Sequence, residues 1–526
     1  MKKYDVTVIG SGMGGSGCAL VLAKLGYSVL LIERGTHPRF ALGESGTPAL
    51  SRKMRYISRA YGIPELDDLS TYNNIHASKN GVMCGPKEMF QYFVHQKGQT
   101  RPDEFGPFPE VIVQTSEVDA QYYRAASDQQ ITEVAVKYGV EYSDMTSVED
   151  IVFGTDKVDL SCKKGEREFT VETDFVVDAT GFNSIIGRKF DLKLTGDALD
   201  TPLKSRSIFT HFRDIGAFDE TIRKSTEYPD RSPVPRSRAT QHHCFEGGWI
   251  WFIPFDNGIT SVGVNLDIDL YPENDRNGEE EFWEIIDQYP MVSELLRGRK
   301  IEFPFIKTKR LQFLNKELAG DRWAMLQASA YALDAWFSTG LAATFMSIHR
   351  LVDVLDKQIF PNKRFERKLL LDYEKSIKTE YFHVAKMVDG MYKTFKHFEI
   401  FKNYCFFCFM GTESYLEKGG AGKAVDLDHL LLSAGDKVFV EKFESVYRKV
   451  VEYAKRDSVS AEEAEELGRF LREDMKPFNF RRYGYPDMHG VHPRRIGVPM
   501  PEYDAMKKQD MEDVHPSMVV QECETD

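Results

Sequence analysis

The strongest constraint on this chain lies at its N-terminus. Tyr4 to Ile9 form a short, largely β-branched apolar run, followed at once by Gly10, Ser11, Gly12, Met13, Gly14 and Gly15, a G-x-G-x-x-G. Cys18 to Leu25 then show helical apolar spacing, Gly26 ends that helix, and Ser28 to Ile32 read as a second buried strand closing on Glu33 and Arg34. Strand, glycine turn, helix and parallel strand make a complete βαβ unit, and such a unit binds a dinucleotide for geometric reasons. Gly10 permits the tight turn, Gly12 and Gly14 let backbone approach the pyrophosphate, and Gly15 lets helix and strand pack closely. Glu33 at the end of the second strand is placed for a ribose hydroxyl, with Arg34 and Arg39 beside it.

Which dinucleotide is read further along. Phe175 to Val177 form a strand ending in Asp178, Ala179, Thr180 and Gly181, and this D-x-T-G resembles the second signature of the hydroxylase-like flavoprotein superfamily. Together the two signatures imply FAD. No second G-x-G-x-x-G follows a strand, so a resident nicotinamide domain is not expected and electrons would come from outside.

Three further stretches resemble the flavin-dependent halogenases, so that the likeness runs through roughly residues 1–350. Gly43-Glu44-Ser45 followed by Pro48 looks like that family's loop beside the flavin. Trp249-Ile250-Trp251-Phe252-Ile253-Pro254 is an intact W-x-W-x-I-P, and strand alternation puts both indoles on one face. Read blandly they are two core tryptophans, but the chain has only five, and two stand in this motif. Asp334-Ala335-Trp336-Phe337-Ser338-Thr339-Gly340 looks like the family's D-P-x-x-S-x-G, with Ala335 in place of proline, and precedes a helical stretch from Leu341 to Leu351. A Ser-Thr-Gly turn at a helix start offers N–H groups and the positive dipole end, which suits a flavin ring and an anion. It is equally an ordinary N-cap.

The resemblance implies a Rossmann-type α/β FAD-binding fold with a β-sheet substrate lobe and a C-terminal helical lobe. It divides the chain into FAD-binding parts at 1–75 and 111–194, substrate-lobe parts at 76–110 and 195–310, and an FAD and halide segment at 311–350. Helical residues 351–489 and a loosely ordered tail at 490–526 complete it. It further implies an enzyme that uses FADH2, O2 and chloride or bromide, with a separate flavin reductase as partner. Trp249 and Trp251 would wall the flavin-borne oxidant from the acceptor, with Glu44 and Ser45 at the flavin. Asp334 and Gly340 would also meet the cofactor, and Ser338, Thr339 and Gly340 would hold the halide. A lysine would carry the activated halogen, by hydrogen-bonding hypohalous acid or as a haloamine. Lys79, before Asn80-Gly81, fits the family position best, with Lys87 the lesser candidate; a lysine is otherwise usually a solvated charge.

Departures from the family pattern narrow the substrate. Tryptophan halogenases carry a glutamate just before the Ser-Thr-Gly, and here Phe337 stands in the substrate pocket instead. Without that base, a substrate that activates itself is expected, a phenol or tyrosyl ring, free or tethered to a carrier protein or peptide. Gln327-Ala328 replace a Gly-Asp pair that meets the flavin, and Ala120 stands where relatives place a pyrophosphate-contacting arginine, leaving Arg124 or Arg39 to compensate. On the same fold the alternatives are an aromatic monooxygenase or other FAD oxidoreductase, an indole halogenase, and a nonenzymatic carrier-binding module.

Composition closes off other classes. A net charge of −13 argues against nucleic acid as a partner. Seven scattered cysteines form no disulfide framework, and Cys405 and Cys408 are a lone C-x-x-C without a second ligand pair, so free thiols and no metal are expected. No secretory pattern opens the chain and no apolar run reaches about eighteen residues, which reads as a cytoplasmic protein without a spanning helix. The aromatic cluster from Tyr392 to Phe409 reads as core.

Overall fold

The computed structural model describes residues 3–478 except 106–108, 226–231, 423–425 and 457. The expected tail at 490–526 lies outside the described residues.

The N-terminal βαβ unit forms as the glycine spacing requires. Strand Lys3–Ile9 pairs in parallel with Val29–Ile32 on one side and with Arg167–Asp178 on the other. Helix Met13–Lys24 crosses between the first two. In this register Ile9 lies opposite Asp178, so the two glycine-bearing turns leave the carboxyl end of the sheet side by side. A methyl group on Gly10 would come within 2.4 Å of the Ala179 carbonyl oxygen, and one on Gly15 within 1.8 Å of the Gly10 carbonyl oxygen. Trp323–Met325 and Glu141–Ser143 extend the same sheet in parallel, and antiparallel strands Thr146–Phe153 and Val158–Lys164 flank it.

The second sheet is largely antiparallel, in the order Lys300–Ile301, Ser205–Arg213, Ile259–Asp267, Gly248–Pro254, Ala239–Phe245, Cys84–Val94 and Glu110–Tyr122. It contains the strands that the sequence reading assigned to a substrate lobe, and one more. Residues 111–122, assigned by sequence to the FAD lobe, pair along Cys84–Val94 and so belong to this sheet. Their alternation resembles any half-buried strand, and only the pairing reveals which sheet they join.

The C-terminal lobe is helical: Leu371–Thr394, Phe398–Glu417, Lys437–Ala454 and Ala461–Met475. Phe395, Phe401, Tyr404, Phe407 and most of the aromatic cluster are buried, in a core continuous with that of the nucleotide lobe. The six cysteines among the described residues are buried and free. No helix of the described residues is long and apolar enough to cross a membrane.

Candidate active site

A cavity of about 570 Å³ opens where the lobes meet. The nucleotide lobe contributes Gly12, Met13, Gly14 and Gly15 from the first turn and Ala179, Thr180, Gly181 and Phe182 from the second. The antiparallel sheet contributes alternate side chains of one face: Ser207 and Phe209, Thr240 and His242, Trp249, Trp251 and Ile253, and Asn265. The two indoles therefore share a face, as the alternation requires. Trp249 Nε1 donates to Tyr392 Oη at 3.1 Å, and Trp251 Nε1 to Ser261 Oγ at 3.2 Å. The start of helix Gly340–Val354 closes the cavity with Ser338, Thr339 and Gly340, where a methyl on Gly340 would meet open space.

The residues fit a flavin dinucleotide. At Gly12 an added methyl would sit 3.6 Å from Arg124 Nη2 and 3.7 Å from Arg39 Nη2, so two guanidinium groups border the glycine turn. Arg39 Nε is buried without a partner, and Arg124 is held by Asp128 at 2.7 Å and by the Leu42 and Gly43 carbonyls. Two cations and a helix N-terminus at one turn suit a pyrophosphate. Ala120 is buried in strand Glu110–Tyr122.

Other sequence-derived residues lie elsewhere. Glu33 directs its carboxylate at Ser11 N (2.9 Å), Ser11 Oγ (3.1 Å) and Gly35 N (2.9 Å) and pairs with Arg39, so it braces the glycine turn; these bonds hold its carboxyl below the usual range, against the effect of burial. Arg34 is exposed and does not line the cavity. Asp178 is likewise turned inward, accepting from Thr180 N, Thr180 Oγ1 and Ile186 N, and shapes the second turn without reaching the cavity. Gly181 does reach it. Asp334 lines the cavity and accepts from Ser205 Oγ and Tyr392 Oη, each at 2.7 Å, and from Trp336 N at 3.1 Å; burial pushes its carboxyl up to about 6. Glu44 and His211, both buried, meet at 2.7 Å.

The structure puts the two candidate lysines in opposite settings. Lys79 is exposed at the C-cap of helix Tyr72–Ser78, in a left-handed conformation with φ of 54°, and borders no cavity of the site. Lys87 is fully buried. Its Nζ donates to Ser45 Oγ at 2.6 Å, to the Gly46 carbonyl at 2.9 Å and toward Ser338 Oγ at 3.5 Å, and lies 3.5 Å above the Phe90 ring. A register shift between Lys87 and Met89 re-aims this part of the strand. Burial pulls the Lys87 amine below its ordinary range, partly offset by the Asp119 carboxylate opposite it; burial and Glu117 push Asp119 up.

Lys87 sits in a partition between two cavities. Ser45 and Ser338 line the large one; Phe90 lines a second, small cavity together with Phe337 and Phe409; Thr339 lines both. The indoles line only the large cavity, and the amine of Lys87 reaches Ser45 and Ser338 on the side of the large cavity and the Phe90 ring on the side of the small one. Sequence reading passed over Asp119, His211 and Asn265, polar residues whose chain positions carry no motif, and took Tyr392 for core.

Comparison with known proteins agrees with this architecture. Residues 97–404 match the tryptophan halogenase family, and residues 8–48 an NAD(P)-binding Rossmann-like domain. Tetracycline 7-halogenase of Kitasatospora aureofaciens is 32% identical over 421 residues, 76% of this chain and 72% of that one. Monodechloroaminopyrrolnitrin halogenase PrnC of Pseudomonas fluorescens is 33% identical over 384 residues, 69% of this chain and 64% of that one. The crystal structure of halogenase PltM with phloroglucinol and FAD superposes with a TM-score of 0.81 at 25% identity, over 90% of this chain and 96% of that one. The chain belongs to the tryptophan halogenase family and is a flavin-dependent halogenase that binds FAD.

Proposed function

We propose that this halogenase acts on a phenolic ring, free or carrier-tethered, and that Lys87 passes the activated halogen to it. The observation that carries the reading is the position of the Lys87 amine, buried between the cofactor cavity and a second cavity with aromatic walls. Reduced FAD, with O2 and halide, supplies hypohalous acid in the large cavity. Ser338, Thr339 and Gly340 there are placed to hold the halide at the start of a helix. Ser45 Oγ and the Gly46 carbonyl fix the amine by accepting its N–H bonds. From that position the ammonium form donates to the oxygen of hypohalous acid and protonates the departing hydroxide, leaving halogen with electrophilic character at the small cavity. The aromatic lining there excludes water that would otherwise compete for it.

A phenol is favoured because the walls of that cavity are aromatic, with Phe337 and Phe409 edge to face at 5.8 Å between ring centroids, a surface against which an acceptor ring packs once the cavity widens. The phloroglucinol held by PltM is a phenol as well. Electrons come from a separate flavin reductase. The test supplies reductase, NADH, FAD, bromide and a panel of phenols and indoles, with mass spectrometry for halogen isotope patterns. Halogenated phenols are expected, and Lys87→Ala should reduce product at least about 10²-fold while flavin binding persists. Halogenated indoles with untouched phenols, or an active Lys87→Ala, would refute the reading.

A further inference from the structure

The delivery of halogen through Lys87 leaves open what receives the acceptor's proton. The small cavity encloses about 30 Å³, room for a water molecule or two, and is walled chiefly by Phe90, Val113, Phe337, Phe409, Leu431 and Leu432. Among the described residues that line it, one side chain is ionisable. Helix Phe398–Glu417 brings Glu413 to its wall, only 5% exposed. Phe90, directly beneath the Lys87 ammonium at 3.5 Å, forms part of the same wall. The cavity thus has at one boundary the Phe90 ring over which the Lys87 ammonium sits, and at another a buried carboxylate. A ligand that meets both needs an electron-rich ring and a hydroxyl that donates.

We infer that Glu413 binds and deprotonates the phenolic hydroxyl of the acceptor, and so makes an ionisable O–H a requirement of the substrate. This rests on the reading of Lys87 as the delivering amine. The phenol O–H proton passes to the Glu413 carboxylate as a ring electron pair forms the carbon–halogen bond. The halogen–oxygen bond of hypohalous acid breaks, and its hydroxide takes a proton from the Lys87 ammonium to leave as water. The ring proton on the halogenated carbon then moves to the Lys87 amine, the ring electrons return, and protonated Glu413 gives its proton back to the phenolate oxygen. The sum is hypohalous acid plus phenol to halophenol plus water, with both side chains restored. Deprotonation in the course of attack is effective because phenolate character makes the ring a far stronger nucleophile than a phenol. A positioned base of this kind is worth about 10²–10⁴ in rate. The cavity in its present state is too small for a ring, so the Leu431 to Ser433 turn, where Leu432 and Ser433 have φ of 54° and 57°, is the wall segment that the ligand would displace.

The experiment compares phenol with anisole, its methyl ether, on the holoenzyme with reductase and bromide, while a diketone trap reports free hypohalous acid in parallel. Wild type should brominate phenol far faster than anisole. Glu413→Gln should lower phenol turnover about 10²-fold and leave the slow anisole reaction where it was, so the preference collapses; Glu413→Asp should restore part of it. Unchanged phenol turnover in Glu413→Gln, or an equal fall for both substrates as expected of a merely structural residue, would overturn the inference alone. Wild type that yields trapped hypohalous acid but brominates no phenol would remove the phenolic reading and this inference with it.

Discussion

Lys79 and Lys87 stand only a few residues apart, yet the fold gives them opposite environments. Lys79 sits among Ser78, Asn80 and Gly81, turn formers, and only its place in the family pattern recommended it. Lys87 lies in a strand with Met89, Phe90, Tyr92 and Phe93, a setting in which a lysine cannot keep its hydration shell. That contrast was legible in the chain; what was not is the partner set of Ser45, Gly46 and Ser338, drawn from three separated segments. The same distinction yields a prediction. Lys79 occupies a left-handed helix cap, where a side chain costs more than glycine. Lys79→Gly should therefore raise stability by about 0.5–1 kcal/mol net of glycine's greater chain entropy, read from the denaturant midpoint, and leave halogenated product at the wild-type rate. A loss of product in that variant would return Lys79 to the site.

At the scale of elements, the W-x-W-x-I-P strand is held by the C-terminal helix Leu371–Thr394. Tyr392 accepts from Trp249 Nε1 and donates to Asp334, which also accepts from Ser205. Strand, helix and halide-side turn are thereby joined through one buried carboxyl group. Burial pushes that group up to about 6, so the folded chain binds its proton more tightly than the unfolded chain does. Stability from this source is complete below about pH 4, where both states are protonated. It falls as pH rises toward 6 and is level beyond. The decline should amount to about 2–3 kcal/mol, and Asp334→Asn should flatten this part of the stability–pH curve, as followed by urea unfolding across that range. An unaltered slope would place the titration elsewhere. The strands and helices themselves follow local patterns: the strand-like stretch from Lys204 to Phe212 forms strand Ser205–Arg213, and the amphipathic spacing from Val438 to Ala454 forms helix Lys437–Ala454. The helical periodicity that runs from Glu366 to Val388 forms an α-helix only from Leu371, after a 3-10 turn at Arg367–Leu370, because periodicity does not mark where a helix tightens.

For the whole molecule, the cofactor cavity exists only where the two sheets and the start of helix Gly340–Val354 converge. FAD that binds there and not to the unfolded chain should stabilise the protein by about 2.7 kcal/mol at a hundredfold excess over its dissociation constant, seen as a rise in thermal midpoint. The purified holoenzyme should oxidise NADH only when a flavin reductase is added; NADH consumption without one would mean an electron-entry site within this chain. The local chemistry of the nucleotide turn was determined by the sequence, because G-x-G-x-x-G between a strand and a helix leaves the backbone one close-packed solution. So was the placement of both indoles on one face, since strand alternation has a period of two. Tertiary structure alone decided which lysine is buried, that Asp178 and Glu33 brace turns, and that the Lys87 amine meets Ser45, Gly46 and Ser338. The physical reason is that burial and hydrogen-bond partnership depend on contacts between segments far apart in the chain, such as Lys87 with Ser338, and no local pattern of residues records them.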